Sequence, residues 1–174
     1  MTETVLPQGA SPADTRDMVL VHRVFRRELD QLPDLVRAAG PDQDRAAALS
    51  SHWELLSDFL HHHHTGEDAW LWQRLVDRSP DAVGIAERMR SEHDEVEQLH
   101  EAARTSGAAW AAAPDAERAE RFAADLAALQ QVLVAHLDDE EVSILPIVRR
   151  TMTQDEWSQL GRDQVASLRQ DLLP

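Results

Sequence analysis

The sequence predicts an all-α protein: an antiparallel four-helix bundle with a short fifth helix at its C-terminal end. Three observations predict it. Four long segments are each framed by helix start and stop residues, and the connections between them are short. No stretch sustains the period-2 alternation of a strand, and no tight hairpin dipeptide occurs.

Residues 1–12, with Pro7, Gly9 and Pro12, read as a flexible arm. Asp14 can cap a first helix running to about Ala39, with Gly40-Pro41 as its stop. Pro33 is expected to kink or break its last turns. Asp42 can open a second helix reaching about Arg78. Ser79-Pro80-Asp81 starts a third, with Ser79 as cap and Pro80 at the first helical position. That helix is expected to end near Ser106-Gly107. Pro114-Asp115 opens a fourth, running to about Arg150 through a kink at Pro146. Thr153-x-x-Glu156 is a capping box opening the fifth, which reaches about Leu172. The expected organisation is therefore an arm at 1–12, a bundle at 13–150 and a C-terminal helix at 151–174. Trp157, Leu160, Val165 and Leu168 recur at roughly helical spacing, so the last helix should pack on the bundle. Trp70 and Trp72 lie about 200° apart around a helix, so both cannot face one core. Either the fifth helix or a second copy covers Trp72.

At 174 residues, the chain has room for one sizeable core. No run of about 18 apolar residues exists to span a membrane. Residues 1–20 lack the basic and apolar regions of a secretory signal. Cysteine is absent, which excludes disulfides, thiolate metal sites and cysteine nucleophiles, and fits the cytoplasm. The net charge of −15 should repel nucleic acid and anionic membrane, so neither is expected as a partner. Histidine is abundant, at nine residues.

The histidines reveal a repeat. His63-His64-Thr65-Gly66-Glu67-Asp68 and His136-Leu137-Asp138-Asp139-Glu140-Glu141 share the pattern His-x-x-x-Glu-acid, at an offset of 73 residues. Upstream, His22 precedes His63 by 41 residues and His93 precedes His136 by 43. A helix hairpin is thus used twice. Each half gives one histidine from its first helix and a His-x-x-x-Glu pair from its second.

Residues i and i+4 lie one above the other on a helix. His63 and Glu67 can reach one point, as can His136 and Glu140. Each histidine also falls on the apolar stripe of its helix. Phe25 and Leu29 flank His22; Leu60, Trp70 and Leu71 flank His63; Met89 and Val96 flank His93; Leu133 and Ile144 flank His136. All six groups should point inward, with Trp70 and Met89 as candidate pocket walls. A buried carboxylate without a partner is very costly. A hydrogen-bonded polar network could satisfy these groups, but a metal centre satisfies all six at once. Nitrogen and carboxylate donors without sulfur suit iron, manganese or zinc. Glu67 and Glu140 can bridge two metals, each with two terminal histidines.

His64 pairs with Asp68 as well as His63 pairs with Glu67; the repeat selects His63 and Glu67. His61 and His62 should point elsewhere, to the surface or beside the site rather than into it. His100 reads as a core histidine or a neighbour of the site, and His52 as too far along the axis.

The set His22, His63-x-x-x-Glu67, His93 and His136-x-x-x-Glu140 resembles the hemerythrin-like (HHE) cation-binding domains over roughly residues 14–150. The resemblance implies a four-helix bundle holding a non-haem di-iron centre, two iron ions with an oxo or hydroxo bridge. It implies a small diatomic ligand or peroxide as partner. Oxygen-carrying hemerythrins have five histidines and two carboxylates, with a His-x-x-x-His pair on the third helix. Here Glu97 stands four residues after His93, as a candidate seventh ligand or proton relay. The fourth-helix spacing also differs. Simple oxygen carriage is thereby in doubt, and the resemblance points to sensing and stress-response members. No tyrosine exists to assist.

Three functional expectations follow. The first is a di-iron protein binding or sensing dioxygen or nitric oxide, in oxidative or nitrosative stress or iron homeostasis. The second is a di-iron enzyme removing peroxide or reducing nitric oxide. The third is an iron-handling bundle without redox turnover.

Overall fold

The computed structural model describes residues 6–171; the side chains of Gln164 and of residues 167–171 are not among those described. Leu172 and the side chain of Leu168, expected at the end of the fifth helix, therefore lie outside what is described. The structure is all-α, with seven helices among the described residues: α1 (Arg16–Ala39), α2 (Gln43–Trp70), α3 (Trp72–Arg78), α4 (Ala82–Ala112), α5 (Ala116–Ser143), α6 (Leu145–Thr151) and α7 (Gln154–Asp171). The expected second and fourth helices are each present as a long helix plus a seven-residue continuation, α2–α3 and α5–α6.

The two interruptions sit at Leu71 and Ile144, at the same 73-residue offset as the His-x-x-x-Glu pairs. Pro146 explains the second, because it has no N–H to donate one turn back. Of the kink or break expected at Pro33, no break occurs: α1 runs unbroken through it to Ala39. Gly40 then ends α1 with a φ of 56°, a left-handed conformation that favours glycine.

Helix starts follow the side chains that cap them. The N–H of Arg45 donates to Asp42 Oδ1 at 3.1 Å, and that of Arg118 to Asp115 Oδ1 at 2.8 Å. The capping box of α7 is complete: Thr153 N–H donates to Glu156 Oε2 at 2.9 Å, and Glu156 N–H to Thr153 Oγ1 at 3.3 Å. Ser79 is the exception. Its buried hydroxyl has no hydrogen-bond partner, and α4 begins only at Ala82. Backbone bonds from Ala82 and Val83 to the carbonyls of Ser79 and Pro80 open α4 instead.

Contacts divide the chain into two compact units. One takes His22–Leu60 and Asp94–Ala135. Its core is a stripe on each helix, such as Phe25, Leu29, Leu32 and Val36 on α1 and Phe122, Leu126, Leu129 and Leu133 on α5, all at most 1% exposed. Phe25 meets Phe59 at 5.1 Å between ring centroids, and Phe122 meets both Trp53 and Trp110 at about 6 Å. Here α4 does not stop at Gly107 as expected. A Cβ at Gly107 would lie 3.0 Å from Phe122 Cε2 and 3.3 Å from Trp53 Cδ1, so this glycine admits two aromatic rings rather than ending a helix.

The other unit takes residues up to Val21, His61–His93 and the chain from His136 on. Its core gathers Trp72, Leu75, Met89, Ile147, Trp157 and Leu160 with their neighbours. Thus α7 contributes Trp157 and Leu160 to the cluster that contains Trp72, while Val165 is 52% exposed. Trp157 Nε1–H donates to Asp17 Oδ1 at 2.9 Å, and Arg78 pairs with Glu156 at 2.6 Å. The backbones of Ser11, within the expected 1–12 arm, and of Ala13, just after it, are hydrogen-bonded. Ala13 N–H donates to Met152 C=O at 3.0 Å, and Gln154 N–H to Ser11 C=O at 2.9 Å. No helix among the described residues is long and apolar enough to cross a membrane.

Candidate metal centre

The residues singled out in the sequence are brought inside. His22, Glu67 and Glu140 are fully buried, and His63, His93 and His136 are at most 4% exposed. Two groups of donor atoms form. His22, His63, Glu67 and Glu140 each offer an atom within 4.8 Å of the others, and so do His64, His93 and His136.

Glu67 belongs with both. Its Oε1 lies 3.5 Å from His63 Nε2, and its Oε2 lies 3.5 Å from His93 Nε2. These separations are long for a hydrogen bond. They come close to the spacing of two donors sharing a cation: ligands at about 2.1 Å, subtending about 90–110°, stand about 3.0–3.4 Å apart. Glu67 thus presents one oxygen toward each group.

The far sides of the imidazoles support the same reading. His93 Nδ1–H donates to Asp68 Oδ1 at 3.0 Å, and His136 Nδ1–H to Glu92 Oε2 at 2.9 Å. A carboxylate on Nδ1 fixes ring orientation and leaves Nε2 as the donor to a cation. Asp68 is itself held by Trp72 Nε1–H at 2.7 Å. Burial works against the imidazolium of His93, but the carboxylates of Asp68 and Glu67 outweigh it and raise its pKa to about 9. Burial works to raise Asp68, but the bond and charge of His93, with the Trp72 N–H and the Arg90 charge, together outweigh it and its pKa is lowered. A cation at His93 Nε2 would take the place of the proton that Glu67 faces. Nitrogen and carboxylate donors and oriented imidazoles fit a bound metal cation.

The sequence agrees across most of its length. The family model described as the hemerythrin HHE cation binding domain matches residues 13–148. The chain belongs to the hemerythrin family. Neither the curated proteins nor the solved structures compared with it gave a match.

Within this hemerythrin domain, several expectations change. His64 is not merely an alternative to His63: it is 7% exposed, and its ring stacks on that of His93 at 4.2 Å. The repeat could not reveal it, because the matching position in the second half is Leu137. The signal was local: adjacent helical residues are about 100° apart, so both can border one wide cavity. Glu97 is in neither group. Its side chain is 55% exposed, with an oxygen 3.5 Å from His100 Nδ1.

Trp70 is not a wall of the site either. It is 45% exposed, with the Arg74 guanidinium 4.9 Å from its ring centroid, while Trp72 is fully buried, 5.7 Å from the His93 ring. Met89 is fully buried. His61 is exposed, and His62 partly so. His100 is a buried core residue with Nε2 2.7 Å from Ser57 Oγ, and His52 is paired at the surface with Glu28 at 3.0 Å.

Proposed function

We propose that this hemerythrin domain holds two iron ions bridged by Glu67 and Glu140, and binds or senses a small diatomic ligand, dioxygen or nitric oxide. The carrying observation is Glu67, whose two oxygens face different histidines at 3.5 Å each. The donors are His22, His63, His64, His93, His136, Glu67 and Glu140. When bound, ferrous iron supplies an electron-rich centre able to take up such a ligand.

The chain's own residues supply the rest. Asp68 and Glu92 hold two imidazoles with Nε2 inward. Trp72 and Met89, both fully buried, belong to the apolar cluster that also holds Leu71 and Ile144, four residues beyond Glu67 and Glu140. A dry surround favours reversible binding over release of a charged product, because charge separation in low dielectric is expensive. His64 raises the histidine count to five, the number in the oxygen carriers. Peroxide removal requires a proton donor at the site, and Glu97, its sequence candidate, lies outside both donor groups. Binding or sensing is therefore preferred to turnover. The same proposal places the protein in the cytoplasm, on its cysteine-free, acidic composition.

Elemental analysis of the purified protein, with absorption spectra before and after reduction and return to air, tests it. About two irons per chain, with near-ultraviolet bands that bleach and recover, are expected. Glu67→Ala and Glu140→Ala should each lower that ratio. Unchanged stoichiometry in both overturns the bridging assignment. Rapid peroxide turnover by the loaded protein, lost in His136→Ala, overturns the preference for binding.

A further inference from the structure

A polar groove lies in the unit formed by His22–Leu60 and Asp94–Ala135. It is a groove of about 320 Å³ between α2 and α4, at the small end of ligand-site volumes. Ser50, Glu54 and Asp58 recur along its α2 side, Arg104, Ala108 and Ala111 along its α4 side, and Trp53, Ser57 and Gly107 complete it.

Ser50 carries the argument. It is 7% exposed, and its hydroxyl has no hydrogen-bond partner. Buried polar groups are nearly always satisfied, so this one calls for a guest. The hydroxyl of Ser57 is already committed to His100 Nε2 at 2.7 Å. The charges lining the groove point the same way. Glu54, Asp58 and Arg104 make no ion pair among the described residues, although they line one groove. Two acids stand one helical turn apart on α2, and a cation stands on α4.

We propose that this groove binds a free α-amino acid with an apolar side chain. A simple carboxylate would match Arg104 but meet two like charges. A simple amine would match Glu54 and Asp58 but leave Arg104 unanswered. A zwitterion answers both, with its ammonium toward α2 and its carboxylate toward α4. Its side chain has the indole of Trp53 to lie on, and the small residues Gly107 and Ala108 leave the room. Ser50 supplies the hydroxyl that fixes the polar end.

Calorimetric titration of the full chain with L-phenylalanine and L-leucine tests this. Phenylalaninamide and N-acetylphenylalanine serve as probes lacking one charge each. Saturable binding of at least one amino acid is expected, weakened about tenfold or more in Arg104→Gln. Ala108→Leu, at an exposed helical position, should fill the groove and abolish binding without lowering the thermal midpoint. Absence of saturable binding up to about 10 mM would mean that water alone serves Ser50, and would overturn the proposal. So would undiminished binding in both variants, or equal binding of the singly charged probes.

Discussion

Asp68 Oδ1 accepts a hydrogen bond from His93 Nδ1 at 3.0 Å, and this contact aims the opposite nitrogen of the ring at Glu67. Asp68 adjoins Glu67, a proposed metal ligand, in sequence but lies on another helix face, so it reaches α4 rather than the carboxylate beside it. His136 and Glu92 repeat the relationship at 2.9 Å. Removing the carboxylate in Asp68→Ala should leave the fold intact and weaken metal binding about 10–100-fold, read by competition with a chelator. Unaltered affinity would show that packing against His64 and Trp72 suffices to orient His93.

The histidine run separates into two classes. His64→Ala should lower iron content to about half of the parent's, since loss of one donor releases the more weakly held ion. His61→Ala and His62→Ala should leave it unchanged. Parent-like iron in His64→Ala would return the donor set to the six residues first read from the sequence.

Gly107→Ala should destabilise the protein despite the helical context. Alanine gains about 1 kcal/mol over glycine in a helix. The added Cβ would stand 3.0 Å from Phe122, a fully buried ring, and overpacking costs about 1–3 kcal/mol. A lower thermal midpoint is expected. A higher one would show that Phe122 and Trp53 can shift apart.

Glu156 is held down to a pKa of about 2, from an ordinary 4.5, by Arg78 and by the N–H and hydroxyl of Thr153. A carboxylate lowered on folding stabilises the folded state above its unfolded pKa, and that contribution disappears as pH falls through the folded value. Glu156→Gln should therefore melt below the parent at neutral pH. The gap should close between about pH 4.5 and 2. A gap independent of pH would assign the role of Glu156 to capping geometry rather than charge. Because its side chain is 40% exposed, added salt should narrow the gap as well.

Much of the architecture was legible because it is written in local rules. Asp42, Asp115 and the Thr153–Glu156 box announce helix starts through the hydrogen bonds their own side chains make. The 73-residue repeat and i, i+4 spacing placed His63, Glu67, His136 and Glu140 on inward faces. Both depend only on helical periodicity, which the chain carries by itself. Pro33 does not break its helix, and Gly107 does not end its own, for the opposite reason. Their helix-breaking tendencies are local, whereas the packing of α1 and α4 that overrides them is not.

The site shows the same division. Sequence determined the donor chemistry, the buried helix faces and the family. Tertiary structure alone decided that His64 joins His93 and His136, that Glu97 stays outside, and that Trp72 rather than Trp70 is enclosed. Sequence periodicity gives a residue's angle around its own axis. Which angles become interior depends on how widely neighbouring helices stand apart, and side chains from several helices fix that spacing together.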